Sequence, residues 1–157
     1  MLTPAQLTTL LAAIKADGTA NPIRMAQDTP SLIAWCNAAS ATLAWRGTVP
    51  AQDSDEAATY TTYDSLAQGK RDSWDIFLKF NRDFTKAKIR NWIVDVWGAA
   101  IASSIAEAIL QAGTELATKA QVVFGGTSPT TGTVTALKRS WAGLVDQSDA
   151  NWLVNQA

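Results

Sequence analysis

IRNWIVDVWG, residues 89–98, sets Ile89, Trp92, Ile93, Val96 and Trp97 at i, i+3, i+4, i+7 and i+8. Side chains at that spacing share one stripe of an α-helix, and nowhere else in the chain is the period so clean. Gly98 closes the run and marks a kink or break. The same period recurs on both sides. Toward the N-terminus, Thr3 serves as N-cap, Pro4 takes the first helical position and Gln6 falls three residues after the cap. Leu7, Leu10, Leu11 and Ile14 follow as one apolar stripe, and Asp17-Gly18 ends a helix expected over Pro4–Ala16. Thr29-Pro30 repeats the cap-and-proline signal. The Ala-rich run that follows, to about Trp45, carries Leu32, Ile33, Trp35, Cys36 and Leu43 on most sides, which predicts a central helix. Leu66, Trp74, Phe77 and Leu78 predict a helix over about Tyr63–Phe80. Ser103–Phe124 reads as a fifth, with small residues that permit close approach of a neighbour.

Past Phe124 the chain changes character. Gly125–Thr135, GGTSPTTGTVT, is uncharged and rich in Gly, Ser and Thr, so it is expected to be a loop or arm without a core of its own. Weak alternation over Val134–Val145 leaves room for a short β segment. Asp146 or Ser148 can cap a last short helix holding Trp152, Leu153 and Val154. The fold expected from these signals is all-α: a bundle of about five helices over 1–124, followed by a loop and extended C-terminal arm over 125–157.

Composition narrows the function class. With 157 residues the chain has room for one domain with a real core, not two. Only 17% of residues are charged and the net charge is −1, which excludes a strongly basic nucleic-acid binder. No histidine is present, so Ser-His-Asp and Cys-His arrangements cannot exist. The single cysteine, Cys36, excludes an internal disulfide framework and reads as a small buried hydrophobe. No apolar run reaches the roughly 18 residues of a membrane span, and the start lacks a secretory signal, so synthesis in the cytoplasm is the expectation. Gly125-Gly126-Thr127-Ser128 lacks phosphate-loop spacing and follows a helix where that motif needs a strand. The pairs Asp53/Asp55 and Asp72/Asp75 lack the apolar surroundings that would raise one carboxylate for acid catalysis. No catalytic residue, metal, cofactor or small-molecule substrate is expected.

Two features point to partners instead. Seven tryptophans exceed what a modest core usually takes in, and tryptophan is enriched in interface hot spots, so other subunits are expected to cover part of that surface; the alternative is that most are core. The apolar end of the chain is the second feature. Trp152, Leu153 and Val154, with Trp141 upstream, dock either on their own domain or on a neighbour. Charge is also uneven. Lys70–Arg90 holds seven bases (Lys70, Arg71, Lys79, Arg82, Lys86, Lys88, Arg90) against three acids, net +4, whereas Asp53, Asp55, Glu56 and Asp64 make the preceding stretch net −4. The readings are a DNA-facing surface, a head-to-tail contact between subunits, or solubility alone.

TPAQLTTLLAAIKAD at 3–17, WRGTVP at 45–50, RNWIVDVWG at 90–98, ATKAQVVFGGTSPTTGTV at 117–134 and DQSDANWLV at 146–154 together resemble a group of small structural proteins of tailed bacteriophages. The chain departs from that group after the Gly/Thr loop, where Trp141-Ala142-Gly143 replaces an acidic–glycine pair. The resemblance implies a virion protein, assembled in the host cytoplasm, most like a head–tail connector (adaptor or neck) protein. Such proteins form rings, commonly dodecamers, between portal and tail and grip the portal with C-terminal arms. It implies Trp141, Trp152, Leu153 and Val154 as partner contacts, and Lys79, Arg82, Lys86, Lys88 and Arg90 as a face toward neighbouring subunits or DNA in the channel. Partners would be copies of itself, the portal and tail or nozzle proteins. A tail terminator, another tail or capsid-associated component, and a DNA-binding packaging accessory protein are the alternatives.

Overall fold

The computed structural model describes residues 1–58, 60–98 and 104–156. In chain order the elements are α1 (Pro4–Ala16), α2 (Ala20–Met25), α3 (Thr29–Asn37), β1 (Ala39–Trp45), α4 (Ala51–Ala57), a 3₁₀ helix (Tyr60–Ser65), α5 (Gln68–Phe77), α6 (Ala87–Trp97), α7 (Ile105–Ala112), β2 (Thr114–Thr118), α8 (Lys119–Phe124), β3 (Gly126–Thr127), β4 (Thr130–Thr131), β5 (Val134–Thr135), β6 (Lys138–Arg139) and α9 (Gln147–Val154). Three two-stranded sheets pair β1 with β2, β3 with β6 and β4 with β5. The expected all-α bundle is therefore corrected. The chain is mixed, with nine short α-helices among the described residues and small sheets.

The expected division at 124/125 is a separate matter from how the chain clusters in space. The chain forms two interleaved compact units: unit 1 is Met1–Thr42, Leu116–Thr127 and Arg139–Ala157, and unit 2 is Leu43–Glu115 and Ser128–Lys138. Each has its own apolar cluster, where the length suggested one core.

In unit 1, α1 forms as its caps dictate. Thr3 Oγ1 accepts from Gln6 N (3.3 Å) and Gln6 Oε1 from Thr3 N (2.9 Å), while Leu7, Leu10 and Ile14 face inward. Asp17 ends the helix and starts the next, its Oδ1 accepting from Thr19 N and Ala20 N at 2.8 Å each. The helix expected to reach Trp45 stops at Asn37. There the side-chain amide pairs with the backbone of Val145, donating to its oxygen (2.8 Å) and accepting from its nitrogen (2.9 Å). Lys119 N then donates to Ala38 O (3.0 Å), and the Ala-rich segment continues extended as β1. Alanine's helix preference is worth only tenths of a kcal/mol per residue and yields to such pairings. The core of unit 1 holds Leu10, Ile14, Leu32, Cys36, Ala120, Ala150 and Leu153.

In unit 2, α6 packs against α5, α7 and β4. Ile93 and Val96 are buried, as their stripe predicts, with Ile89, Trp92 and Trp97 partly buried beside them. Trp74, Phe77, Phe84, Ile109 and Leu110 complete the core. The helix expected over Ser103–Phe124 is cut at Gly113, and its expected start at Ser103 lies outside the described residues. A Cβ on Gly113 would lie 1.9 Å from Phe84 Cδ1, so the ring occupies the place of a side chain. After α7 the backbone turns out into β2. The Gly/Thr stretch is not a loose arm. Thr130–Thr131 and Val134–Thr135 form an antiparallel hairpin around Gly132-Thr133, with Gly132 at φ 59, where glycine is favoured. Val134, Ala136 and Leu137 are buried in the unit, and Leu137 bridges β1 through Trp45 N→Leu137 O (3.0 Å) and Leu137 N→Leu43 O (2.8 Å).

Candidate functional site

The basic stretch resolves into two inward-turned arginines and exposed lysines. Arg82 pairs with Val49 through both backbone groups, at 2.8 and 2.9 Å. Its side chain turns back onto the end of α5, where Nε donates to Phe77 O (2.8 Å) and Nη2 to Ile76 O (2.7 Å). Ile76 O also accepts from Lys79 N (3.3 Å), and a cation at this helix end suits the helix dipole. The guanidinium lies 4.9 Å from the ring centroids of Phe77 and Trp92 and 5.5 Å from that of Phe80. Arg90 is only 2% exposed. Its Nη1 donates to Phe84 O (2.6 Å) and its Nε to Thr131 Oγ1 (2.9 Å), and it stacks 4.7 Å from the centroid of Trp45. Burial lowers the pKa of both arginines, opposed at Arg90 by Asp83. Lys79, Lys86 and Lys88 remain exposed, with Lys86 3.7 Å from Asp83. The positive charge presented outward is thus smaller than the sequence count, because two of the seven bases hold unit 2 together.

What this arrangement presents to water is apolar. Phe80 is 63% exposed and Ile76 49%, one just beyond α5 and one near its end. The Arg82 guanidinium, bonded to two carbonyls, lies over one side of the Phe80 ring. Leu78 and the α4 residues Ala51, Gln52 and Asp55 line a depression of 210 Å³. Asn81 Oδ1 accepts from Ala51 N (3.4 Å), which ties the segment after Phe80 to α4. Asp55 also accepts from the Tyr60 hydroxyl, whose pKa is pushed up to about 12, first by burial and then by that carboxylate. The spacing Phe77-x-x-Phe80-x-Arg82 is the sequence signal for this cluster.

The C-terminal candidates lie in unit 1. Leu153 is fully buried and Val154 8% exposed, so both belong to the unit's own core and offer little surface to a partner. Asp146 caps α9, with Oδ1 accepting from Asp149 N (2.9 Å), and buried Asp149 accepts from Leu2 N (2.8 Å). Both ends of the described chain are thereby held against the unit. Trp152 is partly buried and lines a 340 Å³ groove with Met1, Leu2, Pro4, Leu7, Ser148 and Asp149. Trp141 packs edge-on against Phe124 at 5.0 Å and folds over Gly143, where a Cβ would meet its Cζ2 at 2.7 Å. The Trp-Ala-Gly segment is thus a local fold of unit 1.

Packing within each unit covers much of the indole surface. Trp45 and Trp74 are fully buried; Trp35, Trp92, Trp97, Trp141 and Trp152 are partly buried, and none belongs to the exposed class. Stacking explains how. Trp74 lies on Phe77 (4.8 Å, 11°) and meets Trp97 edge-on (5.3 Å), while Trp92 meets Phe77 edge-on (5.3 Å) and donates to Ser73 Oγ (2.6 Å). Cys36 is buried and its thiol pushed up to about 12 by burial, as befits a core residue. Among the described residues no helix is long and apolar enough to cross a membrane. No family model, no curated protein and no solved structure matches the chain.

Proposed function

We propose that this chain is a structural protein of a tailed-bacteriophage particle, most like a head–tail connector that assembles with its own copies and meets portal and tail proteins. The resemblance supplies the class, and its segments fall on elements of both units: 3–17 on α1, 90–98 on α6, 117–134 on β2 through the β4–β5 hairpin, and 146–154 on α9. The structural observation that carries the reading is Phe80, an aromatic ring 63% in water beside half-exposed Ile76. A phenylalanine has only two side-chain torsions to fix on docking, which suits an interface anchor. The reading takes the surface around Phe80 on unit 2 as the contact, since Leu153 and Val154 are buried within unit 1. A DNA-facing role for residues 70–90 is less well supported, since Arg82 and Arg90 are committed to carbonyls and rings.

The test is to mix the purified chain with portal rings from a phage that carries it and to follow mass and negative-stain images. A ring-shaped complex is expected that persists near 1 M salt, where the screening length is about 3 Å. A chain that ignores portal rings defeats the proposal. Binding to duplex DNA that falls steeply with salt would move the function to the accessory class.

A further inference from the structure

Phe80 and the depression beside it form a knob and a hole on one surface. The knob is a phenyl ring 63% exposed, preceded by exposed Lys79. The hole measures 210 Å³ and is lined by Ala51 and Leu78, with Asp55 and Gln52 as its polar members. An enclosed cavity of about 150 Å³ holds a benzene ring; this depression is open to water, and its volume can take a phenyl ring seated at the surface. The charges also match, with a cation next to the knob and a carboxylate in the hole.

Knob and hole are immediate neighbours. Leu78 lines the hole two residues before Phe80, and Asn81, one residue after it, is bonded to the nitrogen of hole-lining Ala51. Phe80 is stacked on Arg82. The natural occupant of the hole is then the same ring from another molecule. When complementary features lie side by side on one patch, a two-fold axis between them satisfies both at once. We propose that two copies of this chain dock through this patch by mutual insertion, each Phe80 entering the other's Ala51–Leu78 depression with Lys79 facing the second copy's Asp55. The inference rests on the reading of a self-assembling protein and adds the surface and its symmetry. A two-fold contact closes at two copies, so a larger ring would need a second, different contact.

The experiment uses the full chain and sedimentation velocity up to about 100 µM, a range that reads weak association. Wild type is expected to shift from monomer to dimer. Phe80→Ala should weaken the dimer about tenfold or more, as loss of an aromatic anchor does. Lys79→Glu and Asp55→Lys should each weaken it, and the two together should restore it, since every contact then pairs the opposite charges again. Circular dichroism checks that each variant is folded; all three positions are at least partly exposed. A wild type that stays monomeric overturns the inference, as does Phe80→Ala dimerising as tightly as wild type, or a double variant as weak as the single ones. The two readings fail separately. Portal binding without any dimer sinks this contact alone, and a Phe80-dependent dimer that ignores portal rings sinks the connector reading alone.

Discussion

Gly113→Ala should destabilise the protein even though its backbone tolerates alanine. The native φ is −77, so no left-handed conformation is at stake. By unfolded-state entropy alone, alanine would stabilise by about 0.4–1 kcal/mol. Sterics decide the other way. The new Cβ would lie 1.9 Å from Phe84 Cδ1, 2.2 Å from Cε1 and 2.7 Å from Cγ, all well inside contact distance. Phe84 is fully buried and cannot retreat easily, because its backbone is tied on both sides. Its nitrogen donates to Arg46 O (3.0 Å) and its oxygen accepts from Arg90 Nη1 (2.6 Å), while Arg46 N donates to Gly113 O itself (3.0 Å). Overpacking a tight core costs about 1–3 kcal/mol, so a net loss of about 1–2 kcal/mol is expected. Urea unfolding followed by tryptophan fluorescence measures it as a lower midpoint at unchanged slope. Phe84→Ala should cost about 3–5 kcal/mol alone, and the double variant should fall short of the sum by at least about 1 kcal/mol. A Gly113→Ala protein as stable as wild type, or simple additivity of the pair, would refute the ring as the reason for the glycine.

Arg90→Met keeps an apolar stem but leaves Phe84 O and the Thr131 hydroxyl without their donor; a loss of about 2 kcal/mol or more is expected in the same assay. Arg90→Lys should recover little of it, since one ammonium cannot reproduce the fork and the stack on Trp45. Asp146 supplies a pH test. The backbone N–H of Asp149 holds its carboxyl below the ordinary 3.8, so the charged form stabilises the fold above that value, and this contribution is lost as pH falls through the lowered one. Asp146→Asn keeps an acceptor at the cap without the charge. Wild type should therefore be the more stable at pH 7, with the gap closing in thermal melts below about pH 4.

Helix starts and stripes were legible in the sequence because they are decided within a turn or two of chain. Thr3-Pro4 with Gln6, the α6 stripe and the Asp146 cap each bring together residues at most eight positions apart, and each stands where its pattern puts it. What lay beyond the sequence depended on residues far apart along it. Ala39–Trp45 has the composition of a helix and became a strand because Leu137 pairs with it and Asn37 is taken by Val145. Position 113 has room only for glycine because Phe84 fills its side-chain space, and Arg90, one of seven bases to the eye, is buried because Thr131 and Phe84 O wait for it. The same holds for the candidate surface. Phe77, Phe80 and Arg82 are visible as a pattern, but only the pairing of Val49 with Arg82 and of Ala51 with Asn81 sets the ring beside α4. Capping and periodicity are local free energies that a short segment carries with it. Strand pairing, buried cations and the choice of which apolar group stays in water are decided by whatever the rest of the chain packs against them.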